Sequence, residues 1–180
     1  MSQLTDARLD RGDVVVRVKP EGLVDFFRLL KLDSELCFDM LLDVTAVDWM
    51  DQAEARFELV YHVLSTAKLH RLRVKVWVQE SKPEIESLCP LWSGANFMER
   101  EVWDMYGIKF HGHPDLRRIL MYEEFVGHPL RKDYPVQGKQ PRVPLRHPEV
   151  ENTARLMKRP ALVQINKRAA GASEQEGSRR

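Results

Sequence analysis

The stretch FELVYHVLSTAKLHRLRVKVWV, residues 57–78, carries two alternations back to back. Phe57, Leu59, Tyr61 and Val63 alternate with Glu58, Val60, His62 and Leu64, which predicts a strand buried on one face and partly on the other. Leu72, Val74, Val76 and Val78 alternate with Arg71, Arg73, Lys75 and Trp77, a second strand with a clean apolar face and a basic outer one. Upstream, residues 37–49 are mostly apolar and are interrupted by Asp39, Asp43 and Asp48. They read as a third strand, leaving the sheet through the acidic turn Met50–Ala55, so the three strands form a meander.

Working outward, Val14, Val16 and Val18 recur with period two and predict the first strand of the chain. Pro20-Glu21-Gly22 breaks it, and Leu23, Phe26, Phe27 and Leu30 then recur at helical spacing to about residue 32. Lys82-Pro83-Glu84 is expected to open a short helix running through Leu88. A charged helix follows Gly94-Ala95-Asn96. Asn96 with Glu99 three positions later fits a capping box, and Gly107 fits a left-handed C-terminal stop. Strands and helices in this order predict an α+β fold over residues 1–108. Two layers are expected, with helices on one face of a mostly antiparallel sheet.

From Phe110 onward no period is sustained, and prolines stand at 114, 129, 135, 141, 144, 148 and 160. Proline holds itself and the residue before it extended. Residues 109–165 therefore read as an extended, proline-rich, partner-binding C-terminal arm with a short helix from Pro148 to Lys158. The small, polar end, 166–180, reads as disordered.

The 180 residues are 43% hydrophobic and 31% charged, with a formal net charge of +1. That balance directs the chain neither to nucleic acid nor to an anionic membrane surface. No segment reaches the roughly 20 apolar residues of a membrane span, and the N-terminus has no apolar signal core. Cys37 and Cys89 stand 52 positions apart without a Cys-x-x-Cys unit. They read as interior residues of a reducing compartment, too few for an iron–sulfur cluster.

Charge is densest in residues 99–135. Glu99, Arg100, Glu101 and Asp104 lie on one helix, where their spacing invites Arg100–Asp104 pairing rather than an acid/base site. Two near-echoes follow, Gly112-His113-Pro114-Asp115-Leu116-Arg117-Arg118 and Gly127-His128-Pro129-Leu130-Arg131-Lys132-Asp133. In each, glycine and proline are expected to fix a turn while the histidine hydrogen-bonds a neighbouring or partner backbone. Cations and anions nearly balance there, which suits paired bridges better than a polyanion track. Such charges favour a surface that becomes buried against a partner.

At these residues the chain resembles the C subunit of bacterial NADH-quinone oxidoreductase, a small hydrophilic peripheral-arm subunit of respiratory complex I. Glu99-Arg100-Glu101-x-x-Asp104-Met105-Tyr106-Gly107 and both Gly-His-Pro echoes carry the resemblance, and Leu91-Trp92-Ser93-Gly94-Ala95-Asn96-Phe97 extends it upstream. It implies a chain without catalytic residues, metal or cofactor, with FMN, iron–sulfur clusters and quinone held by partner subunits. The implied partners are the quinone-site large subunit, D-like, and neighbouring iron–sulfur subunits of the peripheral arm. Attachment to the membrane is then only through the complex, on the cytoplasmic side of the bacterial inner membrane. Arg117, Arg118, Arg131 and Lys132 are expected to meet partner carboxylates, and Glu99 and Glu101 partner cations or the arm.

Three other readings remain open at this stage. The first is the equivalent subunit of a related membrane-bound hydrogenase or other modular electron-transfer complex. The second is a metal hydrolase using His111, His113 and Asp115, and the third an RNA-binding module using Arg71, Arg73 and Lys75.

Overall fold

Strands β4 (Phe57–Ser65) and β5 (His70–Val78) pair antiparallel, Phe57 opposite Val78 and Tyr61 opposite Val74, so both alternations put their apolar residues on the same face. The computed structural model describes residues 3–53 and 55–141. On the other edge of β4, β3 (Met40–Asp48) pairs antiparallel, Ala46 opposite Leu59. An irregularity between Leu41 and Asp43 resets its alternation, so Leu41, Val44 and Ala46 all reach the core.

Beyond β5 lie β2 (Asp13–Val18), pairing parallel, and then β1 (Leu4–Asp10), antiparallel to β2. The five-stranded order is β1-β2-β5-β4-β3, antiparallel at every junction but one. A two-residue turn joins β1 to β2, with Arg11 and Gly12 both at positive φ, 53° and 91°. Such turns match the strand twist. β1 is absent from the sequence reading because it lacks an apolar alternation: as the edge strand it has Leu4 through Leu9 exposed.

A single 3-10 turn, Pro20–Gly22, leads into α1 (Leu23–Leu32), which buries Leu23, Phe27 and Leu30. Those positions share one helical stripe. The Phe27 ring meets Tyr61 edge-on at 5.2 Å and Trp92 at 5.7 Å. Burying such a side chain stabilises the fold by about 1.5–3 kcal/mol. α2 (Ala95–Tyr106) contributes Ala95 and Val102 to the same core, so both helices cover one face of the sheet.

The segment expected to be helical from Lys82 to Leu88 is instead a short strand, β6 (Glu84–Glu86), pairing parallel with β7 (Lys109–His111). Ile85 and Phe110 face each other across this pair and both are buried. The Lys109 amide donates to the Pro83 carbonyl and the Ser87 amide to that of His111. A partner 25 residues downstream decides the conformation, and no local period could reveal it.

The described residues up to Pro141 belong to one compact unit, which includes residues 109–141 of the expected arm. The expected Pro148–Lys158 helix, the end of the arm at 165 and the tail 166–180 lie outside the described residues. Among the described residues no helix is long and apolar enough to cross a membrane.

Candidate subunit interface

Helix α2 is the organising element. Gly107 follows it at φ 77°, as expected for a left-handed stop, and its amide donates to the Trp103 carbonyl at 2.8 Å. The last helical carbonyls are capped by the arm, which returns across them. His128 Nδ1 donates to Asp104 O at 3.0 Å, the Leu130 amide to Met105 O at 3.1 Å and Arg131 Nε to Tyr106 O at 2.5 Å. A helix C-terminus presents carbonyls without intrahelical partners and a partial negative charge, and Arg131 answers both. The approach is so close that a Cβ on Gly107 would lie 2.5 Å from His128 Nε2.

Asp104, on α2, is fully buried. Its Oδ1 meets Arg118 Nη1 at 2.5 Å, and its Oδ2 accepts the amides of Ile119, Leu120 and Met121 at 3.1, 2.9 and 2.9 Å. Burial works to raise this carboxyl, but the Met121 amide, Arg118 and the Leu120 and Ile119 amides together hold it below the usual carboxylate range. Arg118 Nη2 also donates to the Phe125 and Gly127 carbonyls. Arg100 donates to the carbonyls of Arg117 and Arg118, at 3.1 Å each, rather than pairing with Asp104 along the helix. The predicted Arg100–Asp104 pair gives way because Arg118 reaches the same carboxylate with a charge-assisted bond.

Glu99 is fully buried too, but it forms no capping box with Asn96; no side chain caps α2. Glu99 turns away to accept from the Leu88 amide at 2.7 Å and Ser87 Oγ at 2.6 Å, tying α2 to the turn after β6. Burial pushes its carboxyl above the usual range, against the pull of those two donors. Cys89, Glu99 and His113 each place one ligand-type atom within 4.8 Å of the others. Glu99, however, already accepts from the Leu88 amide, Ser87 Oγ and, at 3.6 Å, the Cys89 thiol. His113 Nδ1 accepts the Asp115 amide, so Nε2 carries the proton and donates to Asn96 O at 3.1 Å. That tautomer offers no free nitrogen to a metal, and the group holds the interior together instead.

A third anchor joins the arm to the sheet. Arg56, 7% exposed, donates to both oxygens of buried Asp48 at 3.0 Å and to Asp133 at 2.8 Å, and also meets Glu80. The Lys132 amide donates to Asp48 Oδ2 at 2.8 Å. Sequence reasoning missed Arg56 and Ser87, because the partners of Arg56 lie 8, 24 and 77 positions away and that of Ser87 lies 12 away, with no local motif between.

The predicted interface residues thus divide. Asp104, Arg118, His128, Arg131 and Asp133, expected to meet a partner, bond within the chain; so do Arg100, Glu99 and His113. The arm folds back onto α2 and the sheet, so the bonds these charges make here run to the chain's own groups. Gly112 and Gly127, at φ 78° and 93°, form the two expected turns with Pro114 and Pro129. Arg117 and Asp115 pair with each other on the surface at 2.9 Å, and Glu101 and the Lys132 side chain are exposed. Two of the three cations on the outer face of β5 are neutralised, Lys75 by Glu58 at 3.0 Å and Arg73 by Asp13 at 3.1 Å, a poor arrangement for RNA, while Arg71 is exposed.

Residues 16–140 match the family described as the 30 Kd subunit of respiratory-chain NADH dehydrogenase. The chain is similar to the C subunit of NADH-quinone oxidoreductase from Geobacter metallireducens, 47% identical over 76% of this chain and 83% of that protein. The protein of the same name from Roseiflexus castenholzii is 51% identical over 72% and 74% of the two chains. Among solved structures, the trypsin-resistant fragment (1–134) of Nqo5 superposes with a TM-score of 0.57 at 32% identity, covering 62% of this chain and 89% of the fragment. A chain of an archaeal membrane-bound sulfane sulfur reductase shares the fold, with a TM-score of 0.62 at 23% identity over 86% and 85% of the two chains.

Proposed function

The chain belongs to the family of the 30 Kd subunit of respiratory-chain NADH dehydrogenase, and from that premise we propose that it is a peripheral-arm subunit that docks and stabilises the quinone-site large subunit. In this reading the complex passes electrons from NADH through FMN and iron–sulfur centres to quinone and translocates protons. This chain carries none of those groups and is not catalytic alone. Neighbouring iron–sulfur subunits complete its surroundings, and the complex holds it on the cytoplasmic side of the inner membrane.

The observation that supports the reading best is the use made of the signature charges. Asp104, Arg118, His128 and Arg131 lock an irregular segment against α2, where a catalytic site would leave at least one group facing substrate. A rigidly held irregular surface suits docking. The test is depletion of the chain in its native host. NADH:quinone reductase activity and membrane-bound large subunit should fall together and return on complementation; full activity without the chain would refute the role.

A second reading, the equivalent subunit of a modular complex such as a membrane-bound hydrogenase, draws only on the fold shared with the sulfane sulfur reductase chain. A nickel-bearing large subunit among the co-purified proteins would favour it.

A further inference from the structure

Asp104, Arg118, His128 and Arg131 of the signature bond inward, while several apolar side chains interleaved with them turn out. Leu120 is 57% exposed, Val126 64% and Leu130 50%, with Tyr122 and Val136 also exposed. They project from backbone that is tied down. The Leu120 amide is held by Asp104, Val126 is bonded through both its amide and its carbonyl to the Gln140 side chain, and the Leu130 amide donates to Met105 O. The Tyr122 carbonyl accepts the Phe125 amide, and Val136 lies in a turn closed by the Gly138 amide on Pro135 O. Phe125, held under Arg118, stacks on Tyr134 at 5.9 Å and meets Tyr122 at 5.5 Å, so residues 118–127 and 134–140 are one connected platform. A single exposed leucine means little, but several on a rigid platform mark a contact face.

From this, and resting on the docking role proposed above, we infer that Leu120, Tyr122, Val126, Leu130 and Val136 form the face that seats a protein subunit, whose matching surface is apolar and edged by carboxylates. Charge selects the second feature. Lys132 and Lys139 flank Leu130 and Val136 and are exposed, the nearby carboxylate of Asp133 is taken by Arg56, and the exposed acids Glu123 and Glu124 follow Tyr122. The occupant is a protein rather than an anionic bilayer. A rim carrying both signs, on a chain whose formal net charge is only +1, matches a protein surface rather than a uniformly negative one. Two lysines alone give weak lipid attachment.

The experiment compares the full chain with L120Q/V126Q, K132E/K139E and, as a control on exposed apolar surface elsewhere, L32Q, each expressed in the native host in place of the wild type. Incorporation is read as the fraction of tagged chain migrating with the large complex on a native gel, and the melting temperature of each free chain is recorded beside it. The two face variants should melt like the wild type and lose roughly tenfold in incorporation, as a hot-spot loss requires, while L32Q should assemble normally. Normal assembly of L120Q/V126Q, alongside wild-type chain that does join the complex, would overturn this face and leave the docking role standing. Wild-type chain that never joins the complex would instead overturn the docking role itself. Binding of the purified wild type to phosphatidylglycerol vesicles, lost in both face variants, would assign the face to lipid and overturn the inference.

Discussion

His113 and His128 hold opposite ends of the same helix. His113 Nε2 donates to Asn96 O in the first turn of α2 at 3.1 Å, and His128 Nδ1 donates to Asp104 O near its last turn at 3.0 Å. The two Gly-His-Pro echoes are therefore structural brackets. Each glycine supplies the positive φ that lets the chain turn back, and each histidine reaches a helical carbonyl. What reads in one dimension as a repeated charged motif is, in three, a clamp around α2.

The clamp depends most on Asp104. Asp104→Asn removes the charge that Arg118 faces while leaving that guanidinium 13% exposed, so it should destabilise the chain by about 3–5 kcal/mol. Arg118→Ala should cost a similar amount, and the double variant much less than the sum. Chemical denaturation of the four proteins measures the coupling; additive losses would mean the pair is not one unit.

The two glycines that flank α2 should respond in opposite senses. Gly107→Ala forces a Cβ into His128 and within 2.7 Å of Arg131 Nη2 at a positive φ, and should cost about 1–3 kcal/mol. Gly94, before the helix, has φ −62° and open space around its Cβ position, so Gly94→Ala should be neutral or stabilise by up to about 1 kcal/mol. Thermal melts of both variants would show the contrast.

Stability should fall as pH drops below neutrality. Burial lowers the His128 imidazole from its ordinary 6.5, with Arg131 and Arg118 adding to it against the Asp104 carbonyl. Burial and then Arg73 do the same to His62. A depressed histidine is neutral in the fold, so the unfolded chain binds protons first and stability is lost on acidification through 6.5. Glu99, raised by burial, acts in the opposite sense on the same acidification. His128→Asn keeps a donor for the Asp104 carbonyl without titrating. Its melting temperature should therefore change less than that of the wild type between about pH 7.5 and about pH 5.5. Equal slopes would remove His128 from the pH response.

Tyr61 is fully buried on β4, and among the described residues its hydroxyl has no hydrogen-bond partner. Tyr61→Phe should leave stability unchanged or raise it by about 1 kcal/mol, since an unpaired buried hydroxyl carries a desolvation cost. A clear loss on denaturant titration would show that the hydroxyl is bonded.

The central sheet was legible where periodicity is enforced by one wet and one dry face, as in β4 and β5. It was illegible in β1, which is exposed on both faces, and in β6, whose strand geometry is imposed by β7. The candidate site divided along similar lines. Glycine, proline and histidine announced the two turns because their constraints are local. The destinations of Arg118, Arg131 and Glu99 were not legible, since a charged side chain carries no mark of whether its partner lies 14 residues away or on another polypeptide. Arg56, with carboxylate partners at 48, 80 and 133, had no local pattern at all.

Affinity purification of the tagged full chain from membranes of its native host puts the docking role to the test. The chain should elute with flavin-bearing, iron–sulfur and quinone-site subunits and with NADH:quinone reductase activity, and itself hold no redox group once separated from them. Recovery of a lone monomer that turns over a substrate unaided would contradict it.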